Sequence, residues 1–187
     1  MSAEISLRSL TDRPYELLKE LERRSRAAAS GQGPAAEGVR EWVGVAFRLA
    51  GETFLAAREE VREVLNFPAS ITRIPGSKSW INGLANVRGQ LLPVIDLKAF
   101  LGGAVTRRGR DTRILIVNHR EIPAGLVVDA VLGFRRFVET ERQDEQPQTV
   151  ARCERYLQGS YRRGEADWPV ISLSRLVEGQ QFLHAAD

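Results

Sequence analysis

Few side chains in this sequence could make or break bonds: His119, His184, Cys153 and the acidic pairs Glu59-Glu60 and Asp144-Glu145. Two carboxylates share acid/base work only when both reach one substrate, and neighbours on a strand point apart. Both pairs therefore read as solvated charges. The histidines are far apart and fit no HExxH-type metal spacing. His119 follows a strand end and reads as a surface or capping histidine. Cys153 lies between Arg152 and Glu154 without a partner motif, and reads as an inert structural thiol. As the only cysteine, it excludes an intramolecular disulfide and a cysteine-rich zinc site. There is no GxSxG elbow, Walker loop or GxGxxG. The expectation is no catalytic activity, no cofactor and no metal.

The informative residues suit contact rather than catalysis. Residues 71–97, ITRIPGSKSWINGLANVRGQLLPVIDL, combine two apolar runs with Pro75-Gly76, Asn82-Gly83 and an arginine between Val87 and Gly89. Asn82-Gly83 is a tight-turn dipeptide, because both residues tolerate positive φ. Gly89 allows a second sharp backbone position. Arg88 is thus expected as a rigidly mounted, exposed guanidinium with Asn86 nearby. Its planar five-donor fork suits a protein contact, although an isolated arginine is by default only solvated. Glu63 shares a strand face with Val61 and Leu65 and interrupts their apolar row. It could protect an edge strand or orient a ligand in a groove.

These residues need a scaffold, and the alternation supplies one. Val43, Val45, Phe47 and Leu49 alternate with small or polar residues, as on a half-buried strand. Further strands are expected at 53–57, 61–67, 90–95, 113–117, 124–132 and 168–173. Asp96 reads as the N-cap of a short helix, LKAFL, closed by Gly102 and Gly103. Ser172 or Ser174 caps a C-terminal helix. Residues 104–111 form a basic loop, and 139–148 a polar loop or exposed turn. Many short strands with glycine in the turns point to small barrels or a sandwich.

Before this lies a separate segment. Thr11 or Asp12 can cap a helix through YELLKELERRSRAAA, with Pro14 in its first turn. Its leucine stripe is narrow, which fits a frayed solvated helix or a docking helix. A Gly-rich linker follows at 30–38. The expected organisation is a helical extension and linker at 1–38, then one domain at 39–187.

Composition excludes some classes. The 187 residues are 43% hydrophobic and 27% charged, as in a soluble domain. The opening residues lack an apolar core of signal-peptide length, and no stretch is long and apolar enough to span a bilayer. A cytoplasmic protein without membrane insertion is expected. With 27 basic and 24 acidic side chains interspersed, the net charge is only +3. Aromatic residues make up 7%, and the three tryptophans do not interleave with Lys/Arg. A small-barrel nucleic-acid-binding protein is therefore the weaker reading.

Five stretches carry a resemblance: TFLAAREEVREVL, ITRIP, GLANVRGQLLPVIDL, AGLVVDAV, and YLQG followed by PVISLSRLV. In order and spacing the chain resembles the CheW-like coupling family from about residue 42 to 180. The resemblance implies a mainly β fold of two small five-stranded barrels packed side by side, with a terminal helix. It implies a non-enzymatic adaptor that binds the cytoplasmic tip of a methyl-accepting chemoreceptor and the regulatory domain of a CheA-type histidine kinase. Such an adaptor is cytoplasmic and recruited to membrane-associated receptor arrays. The receptor-binding positions carried over are Val61, Glu63, Gly83 and Arg88. Val61 and Gly83 would give shape and apolar contact, and Glu63 and Arg88 polar orientation. Asp96 and Asp129 match family positions and read as structural. The helical extension resembles adaptors of type IV pilus (twitching motility) systems, with flagellar chemotaxis as the alternative. No receiver or kinase domain is expected beside this domain, which argues against a CheV-like protein or a CheA fragment. The hairpin with Arg162, Arg163 and Trp168 is more basic and aromatic than the family pattern.

Overall fold

The computed structural model describes residues 41–145 and 147–184. The extension and linker expected at 1–38 lie outside the described residues. Eleven strands form two sheets among the described residues. In the first, β1 (Glu41–Leu49), β2 (Glu52–Ala57), β8 (Ala130–Val138), β9 (Arg142–Gln143), β10 (Leu157–Arg163) and β11 (Ala166–Ile171) run in the order β8-β1-β2-β11-β10-β9. In the second, β3 (Val61–Asn66), β4 (Ile81–Val87), β5 (Gln90–Asp96), β6 (Arg113–Val117) and β7 (Gly125–Val128) run β3-β6-β7-β5-β4. The mainly β, two-sheet architecture is as expected. Two-residue β9 adds a sixth strand to the first sheet, inside the segment expected as loop. The ladders leave β3 and β4 as opposite edges of the second sheet.

Burial explains why the strands are so apolar. Val45, Phe47, Phe54 and Ala56 join Ile95, Leu115, Leu126 and Val128 in one core shared by both sheets. The alternate residues Ala46 and Leu55 face a second core with Phe137, Tyr161 and Val170. Likewise Val94, Ile114, Ile116 and Val127 face a third core inside the second sheet. Central strands are thus buried on both faces, and their sequence is nearly continuous in hydrophobicity.

This double burial hides a boundary. Residues 124–132, expected as one strand, are two strands in different sheets, broken at Asp129. Asp129 Oδ2 accepts from the Ala50 N–H at 2.8 Å, while its own N–H donates to the Arg48 carbonyl at 3.0 Å. The carboxylate pins the crossover. Asp96 caps α1 (Leu97–Phe100), accepting from the Ala99 N–H at 3.1 Å. It also takes the Thr106 N–H and hydroxyl at 2.7 and 2.9 Å, fixing the basic loop at its start.

Ser172 caps α2 (Leu173–Glu178), one residue before which β11 ends; α3 (Gln180–Leu183) follows. Glu60 is not the solvated charge its sequence context suggested. Its half-buried carboxylate accepts from the Ser172 hydroxyl and the Leu173 N–H, both at 2.8 Å. It thereby ties the start of β3 to the C-terminal helices. Glu59, Asp144 and Glu145 are exposed, as expected. His119 caps its own loop: Nδ1 accepts the Glu121 and Ile122 N–H groups, leaving Nε2 to meet Glu178 at 3.1 Å. Cys153 is fully buried against the Thr149 hydroxyl, and burial pushes its thiol up.

Candidate functional site

The β4–β5 hairpin turns through Arg88 and Gly89 alone, at φ 52° and 85°. Two successive positive φ values make a type I′ turn, whose twist matches the flanking strands. The Asn86 side chain accepts from the Gly89 N–H at 2.9 Å and stiffens it. Arg88 is therefore a non-glycine residue held in the left-handed region, its side chain 77% exposed.

Its guanidinium reaches across to the other edge of the sheet. Arg88 Nη2 donates to Glu63 Oε1 at 2.5 Å. Since β3 and β4 share no ladder, this ion pair bridges the two edge strands at the surface. Beside it lies a cleft of about 360 Å³, lined by Arg62, Val87, Gln90, Leu92 and Ile116 as well as the pair itself. Two apolar side chains that the sequence reading did not single out are near in the strands: Leu91, 68% exposed, and Val64, 37% exposed. Leu91 lies on the opposite face of β5 from Leu92 and Val94, at the end of the strand beside the turn.

The other two expected positions lie inside. Val61 is 4% exposed, paired with Val117 and part of the core shared by the sheets. Gly83 is buried, and Asn82-Gly83 is not a turn but part of β4, at a bulge between Ile81 and Gly83. At φ 130°, Gly83 lets residues 71–72 close over the edge of β4. Thr72 and Leu84 exchange two backbone hydrogen bonds there, both at 2.8 Å. The structure thus brings Glu63 and Arg88 together and places Val61 and Gly83 beneath the surface they would shape.

Both arginines of the basic, aromatic hairpin of the first sheet are paired with carboxylates. Arg162 makes a two-pronged contact with Asp167 at 2.6 and 3.0 Å. Arg163 does the same with Glu141 at 2.7 and 2.8 Å, and lies 4.4 Å over the Phe137 ring. Trp168 packs against Phe137. The Arg163 hydrogen bond, then the Val138 N–H, lower the Glu141 pKa from 4.5 to about 2. A depressed folded-state pKa stabilises the fold above the unfolded value and ceases to as pH falls through the folded one. Thermal stability should therefore decline between pH 4.5 and about 2. Glu141→Gln should lower the melting temperature at pH 7 and flatten that decline. Parallel acid profiles for the two proteins would show that the pair does not contribute.

Among the described residues, no group of three or more His, Cys, Asp or Glu side chains is arranged to hold a metal ion. No helix among them is long and apolar enough to cross a membrane. The geometry offers a rigid polar pair beside a shallow cleft, which suits recognition of another surface.

The chain is similar to known proteins in sequence and fold. The model of the CheW-like domain matches residues 43–181. Protein PilI of Pseudomonas aeruginosa is 38% identical over 173 residues, covering 92% of this chain and 96% of that protein. Chemotaxis protein CheW of Helicobacter pylori is 29% identical over 135 residues, 72% of this chain and 79% of the relative. The crystal structure of the scaffolding protein TtCheW from Thermoanaerobacter tengcongensis superposes with a TM-score of 0.66 at 32% identity, covering 76% of this chain and 96% of that one. With the matched region spanning both sheets and the paired Glu63 and Arg88, the chain belongs to the CheW-like domain family.

Proposed function

We propose that this chain is a non-enzymatic adaptor coupling a methyl-accepting chemoreceptor to a CheA-type histidine kinase, in the chemosensory system that controls type IV pilus twitching motility. The Glu63–Arg88 pair carries the reading, because a guanidinium on a two-residue turn is a preorganised recognition group with little left to order on binding. The receptor tip meets Arg88, Glu63 and the exposed Leu91, while Val61 and Gly83 hold the shape of that surface from within. The likeness to PilI over nearly the whole chain supports the pilus assignment over a flagellar one. The protein works in the cytoplasm at membrane-associated arrays. Residues 1–38 are an extension ahead of the domain at 39–187.

The test is reconstitution. Mixed with a receptor cytoplasmic fragment and a kinase regulatory domain, the chain should form a ternary complex in which neither partner competes with the other. A chain starting at Val39 should keep both interactions. Failure of the full chain to bind either partner would sink the adaptor reading.

A further inference from the structure

We propose that the loop between α1 and β6 is a second docking surface, separate from the Glu63–Arg88 site, which takes an acidic segment of a partner protein. Residues 104–113 contain Arg107, Arg108, Arg110 and Arg113 against a single acid, Asp111. Arg107, Arg108 and Arg110 are exposed. No side-chain hydrogen bond or ion pair to a described residue neutralises Arg107 or Arg110. This distinguishes the loop from the hairpin at 162–167, whose arginines are each matched by a carboxylate.

The loop is built rather than loose. Thr106 is buried and bound to Asp96 at one end, and Thr112 is buried at the other, its hydroxyl accepting from the Gly109 N–H at 2.8 Å. Arg108 lies 4.3 Å over the Phe67 ring and donates to the Asn82 side chain at 3.3 Å. Arg113 donates to the carbonyls of Arg110 and Thr112. The loop backbone that carries Arg107 and Arg110, and the guanidinium of Arg108, are therefore held in place before any partner arrives, which reduces the ordering cost of binding.

Chemistry selects the occupant. The fork of arginine matches carboxylates two-pronged. Val105, 56% exposed in the same loop, adds an apolar contact of the kind found in protein interfaces. Single-stranded nucleic acid would need free aromatic faces for base stacking, and the Phe67 ring is already covered by Arg108. Choosing a protein over another polyanion rests on the adaptor reading.

The probes are poly-L-glutamate for an acidic segment and oligothymidylate for nucleic acid, each titrated into the purified full chain at low and moderate salt. The wild type should prefer poly-L-glutamate, with binding that weakens as salt rises. Arg107→Glu with Arg110→Glu should weaken that binding at least about tenfold, as expected where charge complementarity drives association. The same charge change at Arg135 and Arg136, on β8 of the other sheet, should leave it within about twofold. The melting curve of the loop variant should match the wild type, because the buried anchors Thr106 and Thr112 are untouched. Equal losses in the two variants would reduce the effect to net charge and overturn the proposal. Tighter binding of oligothymidylate would overturn it too. The loop variant should bind a receptor fragment as well as the wild type, and loss of that binding would overturn the claim of a separate surface. A wild type that binds poly-L-glutamate through this loop but binds no receptor fragment would sink the adaptor reading and leave the loop surface standing.

Discussion

Gly83→Ala is expected to lower the melting temperature by about 6–12 °C, the shift that about 3 kcal/mol produces in a domain of this size. Two costs combine. Gly83 sits at φ 130°, where a side chain adds strain on the order of 1–3 kcal/mol. A Cβ there would also overlap the Thr72 carbonyl oxygen and come within 2.8 Å of Ile71 Cγ2. Residues 71–72 would have to move, and with them the two hydrogen bonds that tie Thr72 to Leu84, each contributing about 1 kcal/mol. Receptor binding should weaken in step with stability, because the edge of β4 leads directly into the Arg88 turn. A variant with wild-type melting and weakened receptor binding would instead place Gly83 at the contact itself. A variant unchanged in both would refute the close-approach argument.

Gly83 also shows how sequence reading can be right about a residue and wrong about its place. The Asn82-Gly83 pair signals positive φ, and Gly83 has it. The signal does not say whether the kink closes a hairpin or bulges a strand. Here the closure comes at Arg88-Gly89, and β4, missing from the expected strands, runs through Asn82-Gly83. Strands with one consistent alternation in sequence, such as β1 and β3, were legible close to their ends, and β6 as a short apolar run. The caps at Asp96 and Ser172 were legible because their chemistry is local. The break at Asp129 was not, since apolar residues continue on both sides when both faces of a strand are buried. Nor was the anchor at Glu60, whose partners lie 112 and 113 residues away. For the site, sequence could propose Glu63 and Arg88 separately. Their pairing follows from the sheet order, which sets β3 and β4 at opposite edges where only side chains can meet.

That pairing makes Arg88→Glu the sharpest test of the proposed receptor surface. The substitution sets two carboxylates against each other at the site of the former pair, without emptying core volume. Exposed ion pairs contribute roughly 0–1 kcal/mol, so the melting temperature should fall by only a few degrees. Receptor-fragment binding should fall by about 30-fold or more, corresponding to the roughly 2 kcal/mol or above that an interfacial anchor costs when removed. Kinase-domain binding should survive, because in the proposed ternary complex the two partners do not compete. The charge swap Glu63→Arg with Arg88→Glu separates two explanations of that loss. It restores an ion pair between the sheet edges but moves the guanidinium from the turn to β3. If the receptor contacts the Arg88 guanidinium, the swap will not restore receptor binding. If the pair acts only as a clasp between β3 and β4, the swap will restore it, and the direct contact is excluded. Unchanged receptor binding in the folded single variant would remove Arg88 from the site altogether.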